Sequence, residues 1–120
     1  MTRVHPERAR EYLQHIIEAI DRARGYVADM DAAAFALDTR TQDAVIRTLQ
    51  IVGEAANKAR LADPDLQRRS PEIPWDVMYG MRNRIIHDYF EIDLDVVWQT
   101  LQRDLPVLRT QIAQLLARLS

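Results

Sequence analysis

The run Gly80-Met81-Arg82-Asn83-Arg84-Ile85-Ile86-His87-Asp88-Tyr89-Phe90 brings two Arg, an Asn, a His, an Asp and a Tyr together. Phosphate chemistry needs such groups. An Arg guanidinium offers a fixed fork of donors to phosphate oxygens, and the contact is stronger in a dry cleft than in water. A His side chain titrates at about pH 6.5, so it can take a proton and return it at neutral pH. In RNA one such proton is that of the 2′-hydroxyl, whose oxygen can attack its own neighbouring phosphate without any metal.

Spacing constrains how these groups could cooperate. On an unbroken helix Arg82 and His87 point about 140° apart. Gly80, Asn83 and His87 share one face, and Arg82 shares another with Tyr89. Two arrangements would reunite them: the helix ends near His87, or a second subunit supplies the missing partner. Gly80 would let another backbone come close, and a two-fold contact would present two copies of each side chain to one cleft. A homodimer is therefore expected. Each residue also has a plainer reading. A His near a helix C-terminus can simply meet the last carbonyls, Arg82 and Arg84 can be surface cations, and Tyr89 can be a half-buried anchor. Glu54, with Lys58 four residues on, reads as a solvated ion pair. His5 and His15 lack the i+3 or i+4 partner of a helical metal pair, so no metal or cofactor is expected.

The elements that must position this run follow from apolar spacing. Leu13, Ile16, Ile17, Ile20, Ala23 and Val27 mark one face of a helix from about residue 6 to about 29, opened by Pro6 and Glu7. Glu18 and Arg22 would pair on its wet side. Residues 30–38 read as a connection with one short turn after Asp31. A second helix starts near Asp38 or Thr39, with Val45, Leu49, Val52, Ala56 and Ala59 on its core face and Ile46 and Ile51 flanking that stripe. Leu61 to Pro74 is a Pro-punctuated loop carrying the basic pair Arg68-Arg69. A third helix begins at Pro74 and turns Trp75, Met78, Met81 and Ile85 inward. The last opens after Asp93, with Ile92 and Val97 placed as a hydrophobic staple. Its stripe runs Val97, Leu101, Leu105, Leu108, Ile112, Leu115, Leu119, and Pro106 should bend it. No strand signal, repeat or Gly-rich loop is present. The expectation is an all-α, up-and-down bundle of four main helices with the last one bent at Pro106.

Composition narrows the function classes. At 120 residues the chain makes one domain, 1–120. A 48% hydrophobic and 28% charged content is that of a globular protein, not a disordered one. No apolar run approaches the roughly 20 residues that span a bilayer. Met1-Thr2-Arg3-Val4 and the residues after it show no secretory pattern, and there are no Cys to form disulfides. The expected location is the cytoplasm, away from membranes. The net charge of −2 argues against coating nucleic acid by bulk charge. A small basic site on a mildly acidic body remains open, with Arg68, Arg69, Arg82 and Arg84 as the candidates to form it.

Arg82, four residues, His87, one residue, Tyr89 resembles the Arg-x4-His-x-Tyr signature of the HEPN superfamily in its HepT-like form. Three further segments agree with that family in order and spacing. Ile51-Val52-Gly53-Glu54-Ala55-Ala56 is similar to its "IGEAA" segment. Pro71-Glu72-Ile73-Pro74-Trp75 with Gly80-Met81-Arg82-Asn83 is similar to its "P-x-IPW…GMRN" stretch, and Val97-Trp98 with Asp104-Leu105-Pro106 to its "VW…DLP". The resemblance covers roughly residues 8 to 115. It implies an all-α, usually homodimeric, metal-independent endoribonuclease, the toxin of a toxin–antitoxin pair whose antitoxin is a minimal nucleotidyltransferase. It implies that Arg82 binds the scissile phosphate, that His87 is the general acid/base and that Asn83 orients. It further implies AMPylation of Tyr89 by the antitoxin, which would silence the enzyme. Arg84, Arg68 and Arg69 are then candidates for RNA binding. A signature does not by itself establish a reaction. A non-catalytic helical module that binds nucleotides or docks a nucleotidyltransferase would use the same residues for recognition.

Overall fold

Pro6 opens α1 (Pro6–Tyr26), where its missing N–H is not needed. The structure is a computed structural model and describes residues 5–119. Met1 to Val4, part of the stretch that shows no secretory pattern, lie outside the described residues. α1 buries Ala9, Leu13, Ile16, Ala19, Ile20 and Ala23 as one face. It ends three residues short of expectation. Gly25 weakens the last turn, and the amides of Val27 and Ala28 turn back to the carbonyls of Arg24 and Gly25 at 3.3 Å each. On its wet side Glu18 pairs with His15 at 3.6 Å when the ring is protonated, instead of with Arg22.

Asp31 caps a short α2 (Ala32–Leu37) by accepting the Ala34 amide at 2.8 Å. Asp38 then caps α3 (Thr39–Ala62) through the Thr41 amide at 3.1 Å. Both caps supply an acceptor to an amide that the helix itself leaves unpaired. α3 is the central helix, burying Val45, Ile46, Leu49, Val52, Ala56 and Ala59. The stretch read as a loop holds one more helix, α4 (Asp65–Arg69), because Asp63 accepts the Asp65 amide at 3.1 Å and Leu66 is fully buried beneath it.

α5 (Trp75–His87) comes next, then a 3₁₀ turn at Tyr89–Glu91 and α6 (Leu94–Gln99). Thr100–Asp104 forms a π-helical turn that runs directly into α7 (Leu105–Arg118). The turn sits where Pro106 cannot donate a backbone hydrogen bond. Leu105 reaches back five residues to the Thr100 carbonyl, so the widened turn accommodates the Pro ring. Asp93 is the N-cap of α6, accepting the amides of Asp95 at 2.9 Å and Val96 at 3.4 Å. Asp93→Ala should remove about 1 kcal/mol and lower the melting temperature by roughly 4 °C; an unchanged melting curve would mean that the cap contributes nothing.

Cross-helix contacts set the topology. The His5 amide meets the Ala62 carbonyl at 3.0 Å, which makes α3 antiparallel to α1. Tyr89 reaches Asp43 and Arg60 reaches Asp76, which makes α5 antiparallel to α3. Arg109 holds Asp21 through two donors at 2.6 and 3.0 Å, and Arg10 lies at the Leu116 carbonyl, which makes α7 antiparallel to α1. The architecture is the expected all-α up-and-down bundle, without strands among the described residues. Phe35 of α2 stacks on Trp98 at 5.4 Å, closing one end of the core. No helix among the described residues is long and apolar enough to cross a membrane.

Candidate active site

The α3–α5 contact is unusually close, and Gly53 is the reason. A Cβ at Gly53 would collide with the Cβ of Arg82 and sit 2.6 Å from the Met78 carbonyl oxygen. Only a residue without a side chain lets α5 approach this far. At Gly80, where the backbone of a second subunit is expected to come close, a Cβ meets nothing within 4 Å in the single chain. Gly80 faces open space in this chain, and Gly53 is the glycine that packing requires.

That approach seats Arg82 over α3. Its Nε lies 2.8 Å from Glu54 Oε2, and its Nη1 donates to Asn83 Oδ1 at 2.9 Å. The buried Nε–H is not aimed along a hydrogen-bond axis, so the Glu54 contact is chiefly one of charge. The Tyr79 ring stacks beneath two cations, with the guanidinium carbons of Arg82 and Arg60 at 5.7 and 5.8 Å from its centroid. Glu54 thus departs from the expected pairing with Lys58. The helix spacing that suggested Lys58 is real, but the carboxylate leans across to α5, where a guanidinium is held within reach.

His87 is the last residue of α5 and is exposed. Asp88 leaves helical geometry with φ −124° and ψ 38°, so the helix ends where one of the two expected arrangements required. Within this chain Arg82 is turned toward α3, and no contact joins it to His87. Tyr89 lies beyond the helix and donates its hydroxyl to Asp43 Oδ1 at 2.7 Å. The Asp43 carboxylate, by accepting that proton, holds the phenol above its ordinary range. Phe90, edge-on to Tyr89 at 5.8 Å, is 97% exposed.

The other candidates lie elsewhere. Arg68 pairs with Asp65 at 2.7 Å and Arg69 with Asp63 at 2.9 Å, both on α4 and the residues before it. α4 adjoins the start of α5, where Trp75 donates its indole N–H to the Ser70 carbonyl at 3.1 Å. His87 is at the other end of that helix, about 18 Å away along its axis. Arg84 borders a groove of about 610 Å³ between α5 and α6, floored by Ile46 and Leu49. Sequence reasoning missed Glu54 and Asp43 as partners of the motif, and Tyr79 as the platform beneath its Arg. Gly53-Glu54, adjacent in the second helix, was the signal for the first of these.

The family model described as Ribonuclease HepT-like matches residues 16–115. This chain belongs to that family. A chain of Thermococcus cleftensis named "Probable ribonuclease HepT" is 39% identical over 106 residues, covering 88% of this chain and 94% of its own. A Methanocaldococcus jannaschii protein provisionally named an RNase is 33% identical over 101 residues, covering 84% and 90%. A longer protein of the same organism, named for a gamma-glutamylcyclotransferase and provisionally for an RNase, is 32% identical over 108 residues. That match takes in 90% of this chain and 47% of the relative. No solved structure matches. The enzyme class that the family's description carries is ribonuclease, in agreement with the sequence expectation.

In this HepT-like chain the segments that carried the resemblance have physical roles. Gly53-Glu54 sets the α3–α5 distance and pairs with Arg82. Ile73 and Trp75 are buried at the start of α5, and Asp104-Leu105-Pro106 makes the π-helical turn run into α7.

Proposed function

We propose that this chain is a metal-independent endoribonuclease, the toxin of a two-component pair, acting as a homodimer in the cytoplasm. Arg82 binds the scissile phosphate and Asn83 orients it. His87 from one copy takes the proton of the 2′-hydroxyl. The 2′-oxygen then forms its bond to phosphorus while the bond to the 5′-oxygen breaks, and the leaving oxygen takes a proton from water as His87 returns its own to solvent. The products are a 2′,3′-cyclic phosphate and a free 5′-hydroxyl. The observation that carries the reading is the clamped Arg82, held by Glu54 and Asn83 on the same helix as an exposed His87, in a chain of this family. A guanidinium fixed before substrate arrives needs no reorganisation as charge develops on the phosphate.

Assembly into a dimer is supported by the apolar side chains left uncovered on and after α5: Val77 is 71% exposed, Phe90 97% and, across the groove, Val96 57%. A stable two-fold contact would bury on the order of 1,600 Å² in total. Such a contact can bring His87 of one copy to Arg82 of the other.

The partner in this reading is a minimal nucleotidyltransferase antitoxin that transfers AMP to Tyr89. Asp43 is placed to receive the phenolic proton as the oxygen attacks the α-phosphate of ATP and pyrophosphate leaves. Intact-mass measurement after co-expression with the antitoxin should show added AMP on the native chain and none on Tyr89→Phe. An increment that persists in the variant would move the modification to another residue.

A further inference from the structure

On the opposite side of Glu54 from α5, the outer face of α3 and the adjoining face of α1 form an open groove of about 390 Å³. Arg47, Gln50, Glu54 and Lys58 line it from α3, and Tyr12 and His15 line it from α1. The spacing of the α3 residues places them in one row along the helix. Arg47 and Lys58, at its two ends, stand about 16 Å apart on the helix axis. Neither has an ion-pair or hydrogen-bond partner among the described residues. Glu54, the acid between them, already has its charge engaged by Arg82 at 2.8 Å. Tyr12 is half-buried, with its ring 6.5 Å from that of His15 and tilted by 50°. His15 keeps Glu18 at 3.6 Å.

We propose that this groove is a track for single-stranded RNA leading to Arg82, with Arg47 and Lys58 on backbone phosphates and Tyr12 as a stacking surface for a base. The inference rests on the ribonuclease reading and adds to it a binding surface for the strand that flanks the scissile bond. Cations spaced along a groove with an aromatic ring between them are what sequence-tolerant single-strand binding requires. The phosphates supply affinity through release of counterions, and the ring supplies contact to any base. Glu54 makes the track continuous with the site, because one carboxylate both borders the groove and grips the phosphate-binding guanidinium.

The larger groove between α5 and α6 has the opposite character. Arg84 is the basic residue on its border, against Asp88, Glu91, Asp93 and Asp104. A polyanion entering there would meet net repulsion. On a body of net charge −2, the α1–α3 groove therefore supplies the locally basic surface that the Arg68-Arg69 pair, already tied to Asp65 and Asp63, does not bring to the site.

The test uses two readouts. Binding of a 2′-O-methyl oligonucleotide, which cannot be cleaved, is followed by fluorescence anisotropy across a salt series, and cleavage of the matching RNA is followed by initial rates. Arg47→Ala with Lys58→Ala should weaken oligonucleotide binding about tenfold or more. The slope of log affinity against log salt should become shallower by about 0.7 for each phosphate contact removed. Tyr12→Ala should weaken binding with the salt slope unchanged, and Arg103→Ala, away from the groove, should leave both alone. In cleavage, the double variant should lose through KM. If the native protein cleaves RNA while the double variant binds and cleaves as it does, the track is overturned and the ribonuclease reading stands. If the double variant loses dimerisation in sedimentation and regains native binding at concentrations that restore the dimer, the groove is a subunit contact and the proposal also fails. A native protein that binds the oligonucleotide through this groove but cleaves nothing would keep the track and sink the ribonuclease reading.

Discussion

His87→Ala should slow RNA cleavage by about 10²–10⁴-fold, the range that a positioned acid–base group contributes. Its melting temperature should stay that of the native protein, because His87 is exposed at the end of α5 and its ring contacts nothing the fold depends on. Initial rates on a defined RNA, alongside a thermal melt, check both halves. Equal rates for the two proteins would remove His87 from the mechanism. No cleavage by either would favour the non-catalytic module, in which the same side chains only bind nucleotides or dock a nucleotidyltransferase. A mixing experiment reads the geometry. Arg82→Ala and His87→Ala are each inactive alone in a site shared across a two-fold. When co-refolded, half the dimers carry one site with both groups native, so about a quarter of native activity should return. A site completed within one chain predicts no return at all.

Gly53→Ala is the second large effect, and it acts through packing. The added methyl would collide with the Arg82 Cβ and crowd the Met78 carbonyl at 2.6 Å. One of those contacts is backbone and the other is the root of a side chain, so neither can swing away. The helices must separate. Overpacking of this kind costs about 1–3 kcal/mol, which should lower the melting temperature by roughly 4–12 °C. The shift also pulls Arg82 from Glu54, so the rate of cleavage should fall even where the protein remains folded. Gly80→Ala is the matched control, because its Cβ enters open space and Ala favours a helix over Gly by about 1 kcal/mol. A Gly53→Ala protein as stable and as active as the native one would sink this account of the α3–α5 contact.

Helix positions and their core faces were legible in the sequence because apolar periodicity reports burial directly. Asp31, Asp38 and Asp93 cap where their side chains suggested. α4 was not legible, since five residues leave too short a pattern and Leu66 alone anchors it. Pro106 signalled a disturbed helix, but not that a π-helical turn would absorb it. In the site, the motif residues could be named while their partners could not. Local spacing gave Lys58 as the neighbour of Glu54 and Arg22 as that of Glu18. Tertiary contact gave Arg82 to the first, and another residue of the same helix, His15, took the second. Exposed i,i+4 pairs are worth only a few tenths of a kcal/mol, so almost any better-placed cation displaces them. Asp43 and Tyr89 are far apart in sequence, and only the antiparallel packing of α3 and α5 brings them within 2.7 Å.

If Arg82 binds the phosphate as proposed, the grip of Glu54 on it has a bearing on what the enzyme would ignore. Any visiting anion must share that guanidinium with a resident carboxylate, so a small solute such as inorganic phosphate or a lone nucleotide gains little by settling there. A polymer secured at several other points can tolerate the rivalry, because its remaining attachments keep it in place. In that reading the resident acid would act as a filter on length, leaving the machinery unclogged by abundant short phosphates and open to chains.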